Sequence, residues 1–515
     1  MTWLVNDRAL LTPEELLHQL SRYADQQTSR VRTMLLLATP SLANLLDRKA
    51  FLLPALTRLY GNAKWAEDRQ VNEVHVKSIA AVVDALPASP ILTREGRLLA
   101  SEGLAVLFSS ADHHGMCTTV APEDGSTPVT IRFSSDSTAT CLNSSRHVVR
   151  HVTLPVANTL FVNGRHTTLL EDEWKVTASD SGVTIDHYRG RSLKHLQVNV
   201  GCQADAFLDG CSVPLQRLTP PRKVIKSMGN VLSQIEIEGK AVPASQELEK
   251  AVSDHISGDS TPGSHSPLLI YALIRSPTES DVEEGDAPGS STGKSTPLQT
   301  LWQDARLFKV TGGGGGWGKR QGLLSLETAV DFETHDGTVG FPDLDTMEVL
   351  PLERRPQGMS RQNSTVEFLI SPAGKAPQSP WTGAGRQRSS KSRRTAQTFI
   401  LGTASNLASL EMPHQPGVLQ NNKIPNVMVL PDHFGMISYG GAALGSDETP
   451  ASKEQVVSFR GVPLTMSRTR LDVPNSSFIL RTYLKDGTKQ SGDYSVKLRD
   501  ECEDDTESRY LLNKK

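Results

Sequence analysis

"VRTMLLLAT", residues 31–39, is the stretch on which the expected fold class turns. Its apolar side chains fall on both faces of an extended chain, so a strand here has to be covered on both sides. Pro40 closes it, because proline brings no N–H to a sheet ladder. Just upstream, Thr12, Pro13 and Glu15 form a capping-box start, with Leu16, Leu17 and Leu20 on one face of the helix that follows. Downstream, "SLANLLDRKAFLLPALTRLYG" resumes a helical period through Leu42, Leu45, Leu46, Leu52 and Leu56, kinked or divided at Pro54. Two more buried-strand segments, "SIAAVVDAL" and "GLAVLFSS", come next. This alternation predicts an α/β domain over residues 1–125, a mostly parallel sheet with helices on both faces.

Strand patterns then take over. "HVVRHVTLPVANTLFVNGRHTTLL" is rich in β-branched residues, and Asn163-Gly164 reads as a hairpin turn whose two positions favour positive φ. With "GVTIDHY", "HLQVNV" and "QIEIEG" it gives a β-rich region over 126–240, which either extends the first sheet or forms a layer of its own. Residues 242–266, 276–297, 353–364 and 371–395 carry Ser, Pro and charge without a period and read as unstructured. They mark off a largely disordered insertion around a strand (241–300), a glycine-rich loop region (301–352) and a disordered basic insertion flanking a strand (353–398). A β-rich region (399–500) and a flexible tail (501–515) follow, so the whole chain is expected to be α+β.

Composition narrows the function classes. A net charge of -3 from 54 basic and 57 acidic side chains provides no global field for holding a polyanion, so any nucleic-acid contact has to be local. The five cysteines are scattered and form no C-x-x-C pair, which fits a reducing compartment better than a disulfide framework or a structural zinc site. No apolar run reaches the roughly 18 residues that span a bilayer, and the first residues lack the order of a signal peptide. A cytoplasmic or nuclear location is expected, with organelle import left open.

The most unusual composition is "KVTGGGGGWGKRQGLLSL", residues 309–326. Gly313, Gly318 and Lys319 keep the spacing of a phosphate-binding loop, and "RLFKV" could supply its strand. Gly313, Gly314, Gly315, Gly316 and Gly318 would let backbone N–H groups converge on an anion, with Lys319 and Arg320 as cations and Trp317 as a stacking face. Arg320, however, stands where magnesium chemistry needs Ser or Thr, and Gly322 weakens any following helix. The loop therefore suits anion contact better than nucleotide hydrolysis; the competing reading is a wide turn anchored by Trp317.

Other motifs are weaker. "GSSTGKS" is one residue short of a phosphate loop and puts Ser291 in a nucleophile pattern, but it has neither the strand before nor the helix after. Asp112, His113, His114 and Cys117 follow the strand "GLAVLFSS" without a zinc spacing, and His147 and His151 on a strand lie too far apart to share a metal. Glu171, Asp172 and Glu173 read as a solvated hairpin edge. The run "RQRSSKSRR" and the Arg-x-x-Ser pattern ending at Ser364 suggest anion contact or kinase recognition, and protein partners are expected on the insertions.

No coherent catalytic set emerges, and the sequence specifies no cofactor. The expectation is an intracellular, non-enzymatic binding or regulatory protein whose glycine-rich loop contacts phosphate, nucleotide or RNA backbone. The alternatives are a phosphate- or nucleotide-processing enzyme using the same loop and an assembly scaffold with no small-molecule site.

Overall fold

The computed structural model describes residues 1–5, 12–24, 31–61, 72–88, 98–110, 116–120, 128–141, 144–179, 181–200, 205–258, 268–275, 305–313, 322–327, 364–371, 383–384, 395–404, 427–450 and 465–483. Strands dominate, which overturns the expected α/β layer.

The largest sheet has 12 strands and runs from the edge strand Val427–Leu430 through Thr2–Val5, Gly103–Ser110, Val31–Ala38 and Glu73–Val82. It continues through Leu169–Ser179, Gly182–Val200, Thr130–Cys141 and Ser144–Pro155 to Ala442–Pro450 and Thr465–Leu471. Met116–Val120 pairs beside Gly182–Val200. Among the described residues two of its pairings are parallel, Val31–Ala38 with Glu73–Val82 and Gly182–Val200 with Thr130–Cys141. The expected mostly parallel sheet is thus mixed and largely antiparallel.

Val31–Ala38 is a strand covered on both faces, as its composition requires. The covers differ. Met34, Leu36 and Ala38 pack against helical pieces through Leu16, Leu20, Phe51, Leu56 and Tyr60. Leu35 and Leu37 face a second core that is built from strands, including Phe399, Phe434 and Leu480. Helices therefore cover one face of this sheet and not both, because the rest of the chain supplies sheets for the other. Helix Pro13–Ala24 begins on the expected capping box, with Glu15 N donating to Thr12 Oγ1 (3.3 Å) and Thr12 N to Glu15 Oε2 (3.4 Å). The next helical stretch is a 3-10 piece, Pro40–Leu46, a π turn, Arg48–Leu52, and an α-helix, Leu53–Tyr60. Its main division is at Asp47, whose carboxylate caps Lys49 N and Ala50 N, while Pro54 sits in the first turn of the last piece.

The second sheet has five strands, Gly383–Ala384, Asp205–Ser212, Ser477–Tyr483, Thr395–Thr403 and His433–Ser438 in that order. Phe399 and Phe434 lie 6.0 Å apart by ring centroid, and each is within 6.5 Å of Phe133 from the large sheet. That cluster joins the two sheets, each ring contributing about 1.5–3 kcal/mol by burial.

The third unit is a closed six-stranded antiparallel barrel. Its wall runs Arg222–Met228, Val231–Ile237, Leu324–Leu326, Ala305–Gly313, Leu269–Arg275 and Thr365–Ser371, and the last strand returns to the first. Along Leu269–Arg275 the faces alternate, with Ala272 and Ile274 filling the barrel and Tyr271 and Leu273 packing outward on the shared core. One end is filled by helix Ala244–Gly258, which places Ala244, Leu248 and Val252 among the barrel's interior side chains. This helix stands in a segment read from sequence as unstructured.

Candidate functional site

Two features meet at one end of the large sheet. Val31–Ala38 and Glu73–Val82 run parallel, so their C-terminal ends lie side by side, tied by Val83 N donating to Ala38 O at 2.9 Å. Ligands of open sheets gather at such ends. "GLAVLFSS" was expected to end there with His113, but Gly103–Ser110 is antiparallel to Val31–Ala38 and pairs Ser110 with Val31. It ends at the opposite rim. Asp112, His113 and His114 lie outside the described residues, as does the side chain of Cys117.

At the parallel ends, Asp84 Oδ2 accepts from Tyr439 N (2.7 Å) and Ser438 Oγ (3.3 Å). Ser41 Oγ donates to Glu102 Oε2 at 2.7 Å close by, and Thr39 is locked to Gly103 through N→O (3.1 Å) and through Gly103 N→Oγ1 (3.1 Å). Burial raises the Asp84 carboxyl above its ordinary range, with the two hydrogen bonds pulling the other way. Burial, then the charges of Asp84 and Glu102, likewise raises the Tyr439 phenol. This end of the sheet is therefore polar and half-buried, and its carboxylates Asp84 and Glu102 are both engaged by neighbouring donors.

Beside it, residues 158–167 form a knob. The Asn163-Gly164 pair expected to turn a hairpin ends a one-turn helix instead, Leu160–Asn163, with Gly164 left-handed at φ 75°. Ser144–Pro155 and Leu169–Ser179 do not pair with each other. The knob's base is clamped to the sheet by Ala157 N→Val82 O (2.9 Å) and Val82 N→Thr168 O (3.0 Å). Inside it, Thr159 Oγ1 donates to Arg165 O (2.8 Å), Asn163 Nδ2 donates to Thr168 Oγ1 (2.9 Å), and Asn158 Oδ1 accepts from Leu160 N (3.0 Å). Asn163 Oδ1 takes Arg165 N at 3.2 Å. All these bonds fix the backbone, and they hold Leu160, Phe161 and Val162 out to solvent. Phe161 is 98% exposed.

Of the acidic residues expected at a solvated edge, Glu171 and Asp172 are buried and Glu173 is half-buried. Glu171 receives Lys77 Nζ (3.0 Å) and Arg191 Nη2 (2.7 Å); Asp172 receives Arg48 Nε (2.8 Å) and His187 Nε2 (2.9 Å). Burial pushes the Glu171 carboxyl up, but Lys77 and Arg191 outweigh it and hold it below the usual range. Trp174 closes the group, donating Nε1–H to Ser78 Oγ (2.8 Å) and meeting the His187 ring edge-on at 5.0 Å. Arg48 fastens the helical layer to the sheet, and the other pairs tie neighbouring strands to one another.

Of the anion-loop residues, Gly313 closes the strand Ala305–Gly313, opposite Leu324. Gly314, Gly315, Gly316, Trp317, Gly318, Lys319 and Arg320 lie outside the described residues, as do Ser291 and the basic run 386–394. Lower on the same strand, Lys309 lines a small cleft with Tyr271, Glu327, Arg470 and Asp472. Tyr271 donates its hydroxyl to Asp472 O (2.7 Å); Lys309 Nζ is 3.6 Å from Asp472 Oδ2 and Arg470 Nη1 is 3.9 Å from Glu327 Oε1. The cleft is charge-balanced and has room for water-sized guests only.

Ser364 is fully buried and its carbonyl accepts Val224 N at 2.8 Å, so the expected kinase target is closed to a kinase in this fold. His151 is buried, with Nδ1 2.9 Å from Ser134 Oγ; the His147 side chain is outside the described residues. Cys211 is buried, and burial pushes its thiol far up, leaving it an inert core residue. Among the described residues no group of three His, Cys, Asp or Glu is placed to hold a metal, and no helix is long and apolar enough to cross a membrane.

Sequence reasoning missed the knob. Its signal is an apolar triplet bracketed by Asn158-Thr159 and Asn163-Gly164, turn and capping residues on both sides of side chains with no core to enter. Set against known proteins, the chain matches no protein family, no curated protein and no solved structure.

Proposed function

We propose that this chain is a non-enzymatic binding protein that works through a macromolecular contact at the knob-bearing end of its large sheet. The observation that carries this reading is Phe161, 98% exposed between exposed Leu160 and Val162 on a backbone that its own hydrogen bonds hold fixed. Three apolar side chains left in water contribute no burial to folding, and a rigid aromatic projection loses little entropy when it enters a pocket. The test is a photo-crosslinking benzoyl-phenylalanine in place of Phe161 in the full chain, with the same residue in place of the exposed Tyr188 as control. Discrete adducts from 161 and none from 188 support the reading. An absence of adducts from 161 overturns it.

A second contact, with an anion, is proposed at the glycine-rich hairpin. It is favoured by Lys309, on the strand Ala305–Gly313 that leads toward the glycine-rich segment. Lys309 Nζ is 3.6 Å from Asp472 Oδ2, long for a charge-assisted hydrogen bond. Thermal-shift measurements with inorganic phosphate and with a nucleoside triphosphate test it. Stabilisation lost in Lys319→Ala is the expected result, and no shift in the wild type refutes the anion contact.

A further inference from the structure

We propose that the seam between the large sheet and the five-stranded sheet holds a small oxyanion of the phosphate class on Arg150. The site lies apart from the knob and from the glycine-rich hairpin, and it goes beyond both contacts proposed above.

The large sheet brings its inner face to this seam in rows. Val152 of Ser144–Pro155 stands between Phe133 of Thr130–Cys141 and Leu444 of Ala442–Pro450, and all three are buried in the core shared with the five-stranded sheet. Side chains alternate along a strand, so the next row on that face lies two residues on: Ser135, Arg150 and Ser446. An apolar row thus gives way to a polar one at the same level on three strands. Directly opposed residues of antiparallel strands have Cβ atoms about 4.5–5.5 Å apart, which sets a serine hydroxyl on each side of the arginine. Both serines are buried, whereas Arg150 is half-buried and keeps a path to solvent. The facing sheet brings Cys211 within electrostatic range of it.

This row lacks a counter-charge. Among the described residues Arg150 has no ion pair and no side-chain hydrogen bond, and the Ser135 hydroxyl has no partner either. Cys211 cannot balance the guanidinium, because burial pushes its thiol far up and keeps it neutral. Nor does Arg150 escape by losing its proton: burial pulls in that direction, but a guanidinium stays charged at physiological pH. Other half-buried arginines are matched with acids. Arg191 meets Glu171 at 2.7 Å, Arg222 meets Glu247 at 3.0 Å and Arg275 lies 3.5 Å from Glu367. A cation taken partly out of water without such a partner loses hydration that nothing returns, and an anion entering the seam restores the balance. The donors select its class. A guanidinium fork bonds two oxygens of one group and a hydroxyl can donate to a third, so a tetrahedral oxyanion uses donors that a carboxylate leaves idle.

The test is nuclear magnetic resonance of the full chain with isotope-labelled arginine, the Arg150 Nε–H signal being identified by its absence from Arg150→Met. Inorganic phosphate is expected to move this signal in a saturable way, and sodium chloride at matched ionic strength is expected to leave it in place. Ser135→Ala should raise the phosphate concentration at half-saturation several-fold. A phosphoserine peptide, titrated alongside, separates a free ion from a phosphoryl group carried by a larger molecule; saturation by either supports the site. An Arg150 signal that neither ligand moves overturns it. Lys319→Ala should leave the titration unchanged, so the site and the hairpin contact stand or fall separately; a titration abolished by Lys319→Ala would place the ion at the hairpin and overturn the Arg150 site. In phosphate-free buffer Arg150→Met should keep at least the wild-type thermal midpoint, because it removes a charge that nothing balances. A clear fall in that midpoint would show that a carboxylate of the chain already holds Arg150, which would also overturn the proposal.

Discussion

At the scale of single residues, Gly190 shows how a side chain that is missing can hold a structure together. It sits opposite Asp172 in the long hairpin, and Arg48 reaches across it to that carboxylate. A Cβ there would lie 2.2 Å from Arg48 Nη2 and 2.6 Å from Asp172 Oδ1, so Gly190→Ala should displace the guanidinium and leave a buried acid with His187 alone. A loss of roughly 1–3 kcal/mol is expected in urea unfolding. Arg48→Ala should cost about the same, and the double variant little more than either, because both remove one interaction. His433 gives the second prediction. Thr2 Oγ1 donates to His433 O (2.9 Å) and lies 3.2 Å from Nδ1, so Nδ1 carries the proton and Nε2 is a bare acceptor with no hydrogen-bond partner among the described residues. Burial, and after it the N-terminal positive charge, lowers this imidazole to about 4. A folded value below the unfolded 6.5 means the neutral form stabilises the fold fully above about pH 6.5, and that support drains away as pH falls toward 4. The loss is on the order of 3 kcal/mol. Denaturant midpoints measured from pH 7 to pH 4 should fall steeply in the wild type, and His433→Gln should flatten that slope even if its stability at pH 7 is lower.

Elements divide into those whose signals are local and those that need the rest of the chain. The capping box at Thr12 was legible because both of its hydrogen bonds close within four residues. Asn163-Gly164 was legible as a turn but not as a helix end, since a left-handed glycine serves either and the choice depends on which strands pair. The helix Ala244–Gly258 was missed although Ala244, Leu248 and Val252 recur every four residues, because Ser, Glu and Lys between them resemble a linker. Leu248 is the largest buried side chain of this apolar stripe, so Leu248→Ala should cost about 2–4 kcal/mol, while the outward Lys250→Ala should change stability by less than about 0.5 kcal/mol. Chemical denaturation of the two variants checks this; equal effects would mean the helix only leans on the barrel.

For the molecule as a whole, the sequence carried the requirement and not the solution. "VRTMLLLAT" demands cover on both faces, and a helical layer or a second sheet meets that demand equally. What decides between them are partners hundreds of residues away: Thr2–Val5 pairs with Val427–Leu430, and Leu37 shares its core with Tyr271, Phe399 and Leu480. No local window contains that choice. The same long reach explains why the contact end stayed hidden, since Asp84 meets Tyr439 across 355 residues. It also makes a prediction about unfolding. One core takes side chains from the large sheet, the five-stranded sheet and the outer wall of the barrel, so the barrel cannot open without exposing Leu273 and Leu307, which belong to that core. Large-to-small changes at Leu273 in the barrel wall and at Leu154 in the large sheet should therefore shift one common transition, each by roughly 2–4 kcal/mol. In a chain whose other four tryptophans are replaced by phenylalanine, fluorescence reports Trp3 and Trp174 on the helical side, while far-ultraviolet dichroism reports all the strands. The two signals should coincide in the wild type and in both variants. A Leu273→Ala chain that loses strand signal before its tryptophans respond would show that the barrel unfolds by itself, and that the buried surface it shares with the sheets is too weakly coupled to hold the three units together.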